Sequence, residues 1–234
     1  MSFASVGRAE DAWRARLNLP HYQVGEAARY AQVSTATIVS WQAGGGAVST
    51  RETGTELSYL QLIEVAVVAA MRRGGIKLNE IRATRAFMQN KFRSEHPFAE
   101  YRFKSDGKSL WLSDKDIPGI GKKRGHLIRT GQQGQLAWDT IIGRLNEFDY
   151  ERKGIVIKWH VAGEDSPIVI DPRVSYGTPS VRGVPTWIIK GRWTAGEELQ
   201  EIAGDFGLKE SAVVDALKFE GVDPSASRPH KWLN

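Results

Sequence analysis

Apolar residues recur at helical spacing through the first hundred residues of the chain. Ala27, Ala28, Ala31 and Val33 mark one short helix, and Ile38 and Trp41 mark a second that begins after Ser34, a residue suited to cap it. Two short helices joined by a tight turn are an arrangement that presents the second helix to a partner. "QAGGGAVSTRETG" at 42–54 reads as a flexible wing or loop. A long helix is predicted over 56–73, with Leu57, Leu60, Ile63, Val67 and Met71 on one face and a Gly-Gly stop. A further helix follows over 77–92, with Leu78, Ile81, Phe87 and Met88 toward its buried side. Residues 1–20 form an arm with one short helix, stopped by Pro20.

At Pro97 the pattern changes from helical to alternating. "YRFK-SDGK-SLWL" and "HLIRT-GQQG-QLAW" read as hairpins, and "DTIIGRLNEFDYE" as a helix capped by Asp139. Strands follow in "IVIKWHV" and "PIVIDP", then the Gly/Pro-punctuated run "YGTPSVRGVPTWII", and a helical pair closes the chain at 196–220. The expected fold is α+β: an N-terminal winged helix-turn-helix domain over 1–95, then a domain over 96–234 with β-hairpins, a β-arm at 168–190 and the C-terminal helical pair.

Charge sharpens this picture. Residues 71–130 hold 15 Lys/Arg against 6 Asp/Glu, while the flanking segments are slightly acidic. Such segregation favours a polyanionic partner, although a solvated basic face is the plain alternative. The chain has no cysteine, which removes disulfides and thiolate chemistry and suits a reducing compartment. The longest apolar run, "VAVVAAM", is far shorter than the ~20 residues of a membrane span, so a cytoplasmic protein is expected. The five histidines are scattered, "GIGKKRGH" lacks P-loop spacing, and the carboxylates cluster at helix starts. No metal, cofactor or enzymatic activity is expected.

The residues "VGEAA", "VS", "T-I" and Trp41 give 22–92 a resemblance to the MerR-like winged regulators, with Gln32 where a glycine is common and Val39 where an arginine is frequent. That resemblance implies a recognition helix in the major groove. Its exposed polar residues are Thr35, Thr37, Ser40 and Gln42, with Arg51 in the wing on phosphate. Lys122, Lys123 and Arg124 form a basic loop that either touches nucleic acid or is solvated. The segment 168–220, with "IDP", "YG-P-VRG-P" and acidic-capped helices, is similar to a family catalogued as a domain of unknown function and found among VapB-type antitoxins. This resemblance implies an antitoxin that neutralises a PIN-type ribonuclease toxin and binds its own operator as an autorepressor, here expected to be a homodimer. Arg228, His230, Lys231 and Trp232 are the expected toxin-binding residues, and folding of Trp232 onto its own domain is the alternative. The rival reading is a stand-alone MerR-like regulator responding to a small ligand. An RNA-binding adaptor using Tyr101, Phe103 and Trp111 is a third.

Overall fold

The computed structural model describes residues 12–52, 54–100, 103–105, 110–112, 146–151 and 154–225. The fold is mixed α+β, divided into two compact units, Met1–Trp159 and His160–Asn234. The composition change at Pro97 therefore falls inside the first unit, where Pro97 opens a short helix.

After a helical turn at residues 12–16, the first unit contains α1 (Val24–Ala31), α2 (Thr35–Gln42), α3 (Tyr59–Arg73), α4 (Leu78–Phe92) and α5 (Pro97–Glu100). Helix α3 is its centre. Every residue from Tyr59 to Met71 is buried, and α1, α4 and α5 all pack against it. The sequence predicts a single apolar face, but neighbours cover this helix on every side, as befits a segment with so few polar positions. Ser58 caps it, accepting the Gln61 N–H while Gln61 Oε1 accepts the Ser58 N–H at 2.9 Å. On α4, Ile81 and Met88 are buried as expected; Phe87 is 43% exposed, because its neighbour Met88 takes the inward position.

The expected wing is not built. Among the described residues of 43–57, the only β-pairing is an isolated bridge of Leu57 to Tyr22, with backbone bonds of 2.7 and 2.9 Å. Among the described residues β1 (Phe103–Ser105) pairs antiparallel with β2 (Leu110–Leu112), as the Asp-Gly turn predicts, and β3 (Phe148–Tyr150) with β4 (Val156–His160). Phe148 and Trp159 stack across the second hairpin with ring centroids 5.9 Å apart. Residues 148–150, expected to lie in a helix over 139–151, are strand, where alternation of Phe148 and Tyr150 with polar residues suits a pleat; residues 139–145 lie outside the described residues. The expected hairpin at 126–138 lies outside the described residues.

In the second unit β5 (Ile168–Ile170), β6 (Ser180–Val181) and β7 (Val184–Pro185) pair antiparallel in chain order. The expected β-arm at 168–190 therefore pairs within the chain, and its last residues are helical. Three helices follow: α6 (Thr186–Thr194), which the sequence does not predict, and then α7 (Leu199–Phe206) and α8 (Glu210–Phe219), the pair expected at 196–220. Pro185 explains the extra helix, since it cannot donate to a sheet ladder but its fixed φ suits the position before a first helical turn. Ile168, Ile170, Val181, Ile189, Ile202, Val213 and Leu217 form this core. No helix among the described residues is long and apolar enough to cross a membrane.

Candidate nucleic-acid interface

Helix α1 starts on a capping box in which the Gln23 N–H donates to Glu26 at 2.9 Å, and it buries Ala27, Ala28, Tyr30 and Ala31. Small residues on the inner face let α2 cross closely. Gln32 ends the helix in the left-handed region (φ 55°, ψ 45°), and the Val33 N–H closes the turn on the Ala28 carbonyl at 3.0 Å. Arg73 of α3 donates to the Ala31 carbonyl at 2.8 Å, satisfying another group at the same helix end. Ser34 then caps α2 as expected, accepting the Thr37 N–H at 3.0 Å.

The buried face of α2 is Ile38, Trp41 and Gln42, which leaves Thr35, Ala36, Val39 and Ser40 outward. Thr35 and Ser40 thus stand on the exposed face. Thr37 is half-buried with its Oγ1 2.8 Å from Ser34 Oγ, inside the cap. Gln42 is a correction: it is 7% exposed, donates to the Ser49 carbonyl at 2.9 Å and accepts from Arg51 Nε at 3.1 Å. Arg51 in turn donates to the Thr55 carbonyl at 2.9 Å and is half-buried, so this pair braces the loop after α2. The spacing 38, 41, 42 was the available signal, since it puts Gln42 on the core stripe with Ile38. The outward face also carries Ala36 and Val39, apolar positions that a search for polar groups does not mark; Val39 is 52% exposed. Apolar contact of such side chains with a thymine methyl is one form of base readout. Lys122, Lys123, Arg124, Arg228, His230, Lys231 and Trp232 lie outside the described residues.

A buried polar cluster anchors the same loop. The Glu64 carboxylate, fully buried in the middle of α3, accepts the Ser49 N–H at 2.9 Å and the Ser49 hydroxyl, and lies 3.3 Å from both Arg85 Nε and His96 Nδ1. Arg85 also donates to the Glu95 carbonyl at 3.0 Å. Ser, His and Glu in proximity have the ingredients of a nucleophilic site. The Ser49 hydroxyl lies 2.9 Å from His96 Nδ1 and donates to the Glu64 carboxylate, and Ser49 and His96 are only 3% and 7% exposed, so the three groups are turned toward one another inside the fold. The arrangement is a scaffold, a buried charge compensated from several elements.

Helices α7 and α8 repeat the geometry of α1 and α2 at a constant offset along the chain. Glu201 forms the same box with Glu198 at 3.1 Å as Glu26 forms with Gln23. Gly207 (φ 61°, ψ 34°) stands where Gln32 does, and Leu208 closes the turn on Ala203 at 2.9 Å as Val33 does on Ala28. Buried Val213 matches Ile38. The surfaces differ in charge. Helix α8 exposes Glu210, Ser211, Asp215 and Lys218, whereas the outward face of α2 carries no charged residue. Two carboxylates would repel phosphate, so of the two second helices α2 is the one compatible with a polyanion.

Residues 168–219 match the family described as "Protein of unknown function (DUF433)", the segment whose motifs carry the antitoxin resemblance. The chain is 26% identical over 227 residues to a protein named "Putative antitoxin VapB45" of Mycobacterium tuberculosis, an alignment covering 86% of this chain and 94% of that protein. It also shares a fold with a solved structure entitled "X-ray crystal structure of Rv2018 from Mycobacterium tuberculosis". The TM-score is 0.64 at 22% identity, covering 86% of this chain and 99% of that one.

Proposed function

We propose that the protein is a non-enzymatic cytoplasmic antitoxin of a toxin–antitoxin pair. In this reading it restrains a PIN-type ribonuclease and, as a homodimer, represses its own operator through α2. The observation that carries the proposal is the α1–Gln32–α2 unit, whose second helix offers Thr35, Ala36, Val39 and Ser40 outward with no charge to repel DNA. Supporting it are the similarity to a protein named as an antitoxin and the basic balance of residues 71–130. Lys122, Lys123 and Arg124 fit phosphate contacts, which position a protein without reading sequence. Arg228, His230, Lys231 and Trp232 offer a basic and aromatic tail for the toxin, since an arginine fork matches carboxylates and a tryptophan fills an apolar pocket.

The test is fluorescence anisotropy with the DNA upstream of the protein's own gene, together with co-expression of the neighbouring gene product. Binding that weakens severalfold on doubling the salt, and rescue of growth from that gene product, are the expected results. Absence of DNA binding at low salt, or no rescue, overturns the corresponding half.

A further inference from the structure

In the second unit, three large apolar side chains face solvent from one hydrogen-bonded stretch. Tyr176 is 71% exposed, Trp187 59% and Val174 37%. The Ser175 hydroxyl donates to the Gly183 carbonyl at 2.8 Å at the tip of the β6–β7 hairpin, and Val174 lies against Gly183. The Thr186 N–H donates to the Pro179 carbonyl at 2.9 Å at the base of that hairpin. The segment bearing Val174 and Tyr176 is therefore laced to the hairpin that leads directly into Trp187.

Two features separate this surface from ordinary exposure of single apolar residues. Ser175 (φ 47°) and Tyr176 (φ 54°, ψ 28°) are consecutive non-glycine residues in the left-handed region, a conformation in which a Cβ crowds the following carbonyl. Strain kept at an exposed aromatic is a mark of function. Charge is the second. Residues 172–195 contain four Lys/Arg and no Asp/Glu. Arg173 and Arg192 pair with carboxylates, whereas Arg182 donates to the Gly207 carbonyl at 3.3 Å and Lys190 to the Glu220 main-chain carbonyl at 3.0 Å, while the Glu220 carboxylate accepts from Thr186 at 2.6 Å. Tyrosine, tryptophan and arginine are the residues that dominate binding at protein interfaces.

We propose that the surface bearing Val174, Tyr176 and Trp187 docks the toxin, through a site on the toxin that offers an apolar pocket edged by carboxylates. The proposal rests on the antitoxin reading and adds to it a contact surface among the described residues of the second unit. Arg182 and Lys190 supply the complementary charge, and the two aromatic rings supply the buried area.

The experiment titrates the full chain against the purified product of the neighbouring gene, using wild type, Tyr176→Ala, Trp187→Ala and Arg182→Glu. Each variant should lose at least about tenfold in affinity, with thermal midpoint and operator binding unchanged. If Trp187→Ala lowers the thermal midpoint, the other two, whose side chains are exposed, decide the matter. Wild-type affinity in those variants overturns this docking surface and leaves the antitoxin reading intact. No binding by the wild type overturns both. Conversion of a dimer to a monomer in the variants would reassign the surface to a second copy of the chain. Loss of binding to a single-stranded oligonucleotide, with toxin affinity retained, would reassign it to nucleic acid. Either result overturns the proposal.

Discussion

Glu64 accepts the backbone N–H of Ser49 at 2.9 Å from a position without solvent exposure, so the middle of α3 holds the loop that follows α2. The exposed face of α2 owes its presentation to that tie, because Gln42 at the end of the helix is fastened to the same Ser49 through its carbonyl.

Replacing Glu64 by Ala should lower stability by about 3–5 kcal/mol, since it leaves Arg85 and the Ser49 N–H buried without their acceptor. Urea denaturation with an unchanged m-value measures it. A loss under about 1 kcal/mol would mean that water fills the site.

Gln42→Ala and Thr35→Ala should separate stability from recognition. The first should lower stability by about 1–2 kcal/mol through the unsatisfied Ser49 carbonyl and the freed Arg51. The second, at an exposed position, should leave the melting curve alone and relax sequence preference in the anisotropy assay. The reverse pattern would put Gln42 back among the reading residues.

The matched turn positions give a paired prediction. Gln32→Gly should be neutral to stabilising by up to about 1 kcal/mol, because glycine adopts the left-handed region without penalty. Gly207→Ala should destabilise by about 1 kcal/mol; a Cβ there meets nothing within 4 Å, so only the backbone conformation is at issue. Thermal denaturation of the two variants checks both signs.

Alkaline conditions should weaken the first unit through Tyr22. Burial, followed by repulsion from the negative charges of Tyr30 and Glu26, holds its phenol well above the usual tyrosine range. The unfolded chain would then lose this proton first, near pH 10, while the folded chain keeps it. The contribution of Tyr22 is complete below about pH 10 and declines as pH rises from there. Tyr22→Phe should flatten that decline in denaturation midpoints measured from pH 9 to 11; an unaltered slope would locate the loss elsewhere.

The sequence alone determined the elements whose signals are local. Apolar spacing at Ala27, Ala28, Ile38 and Trp41, with Ser34 as cap, defined α1 and α2, and the motifs from "IDP" through the acidic-capped helices marked the segment that matches the family over 168–219. These rest on interactions within a few residues of one another, which a linear pattern records. Tertiary structure decided the rest. Gln42 reads as a surface group until Ser49 and Arg51 enclose it, and no local pattern marks Glu64, whose partners Ser49, Arg85 and His96 are distant in sequence; a polar side chain is buried only when such partners satisfy it. That the closing helical pair repeats the two-helix logic of the opening is legible in the sequence, but the identity of the two turns is not. Left-handed turns at Gln32 and Gly207 produce one geometry from unlike residues, because what the turn requires is a backbone angle and a closing hydrogen bond, and only the folded chain displays those.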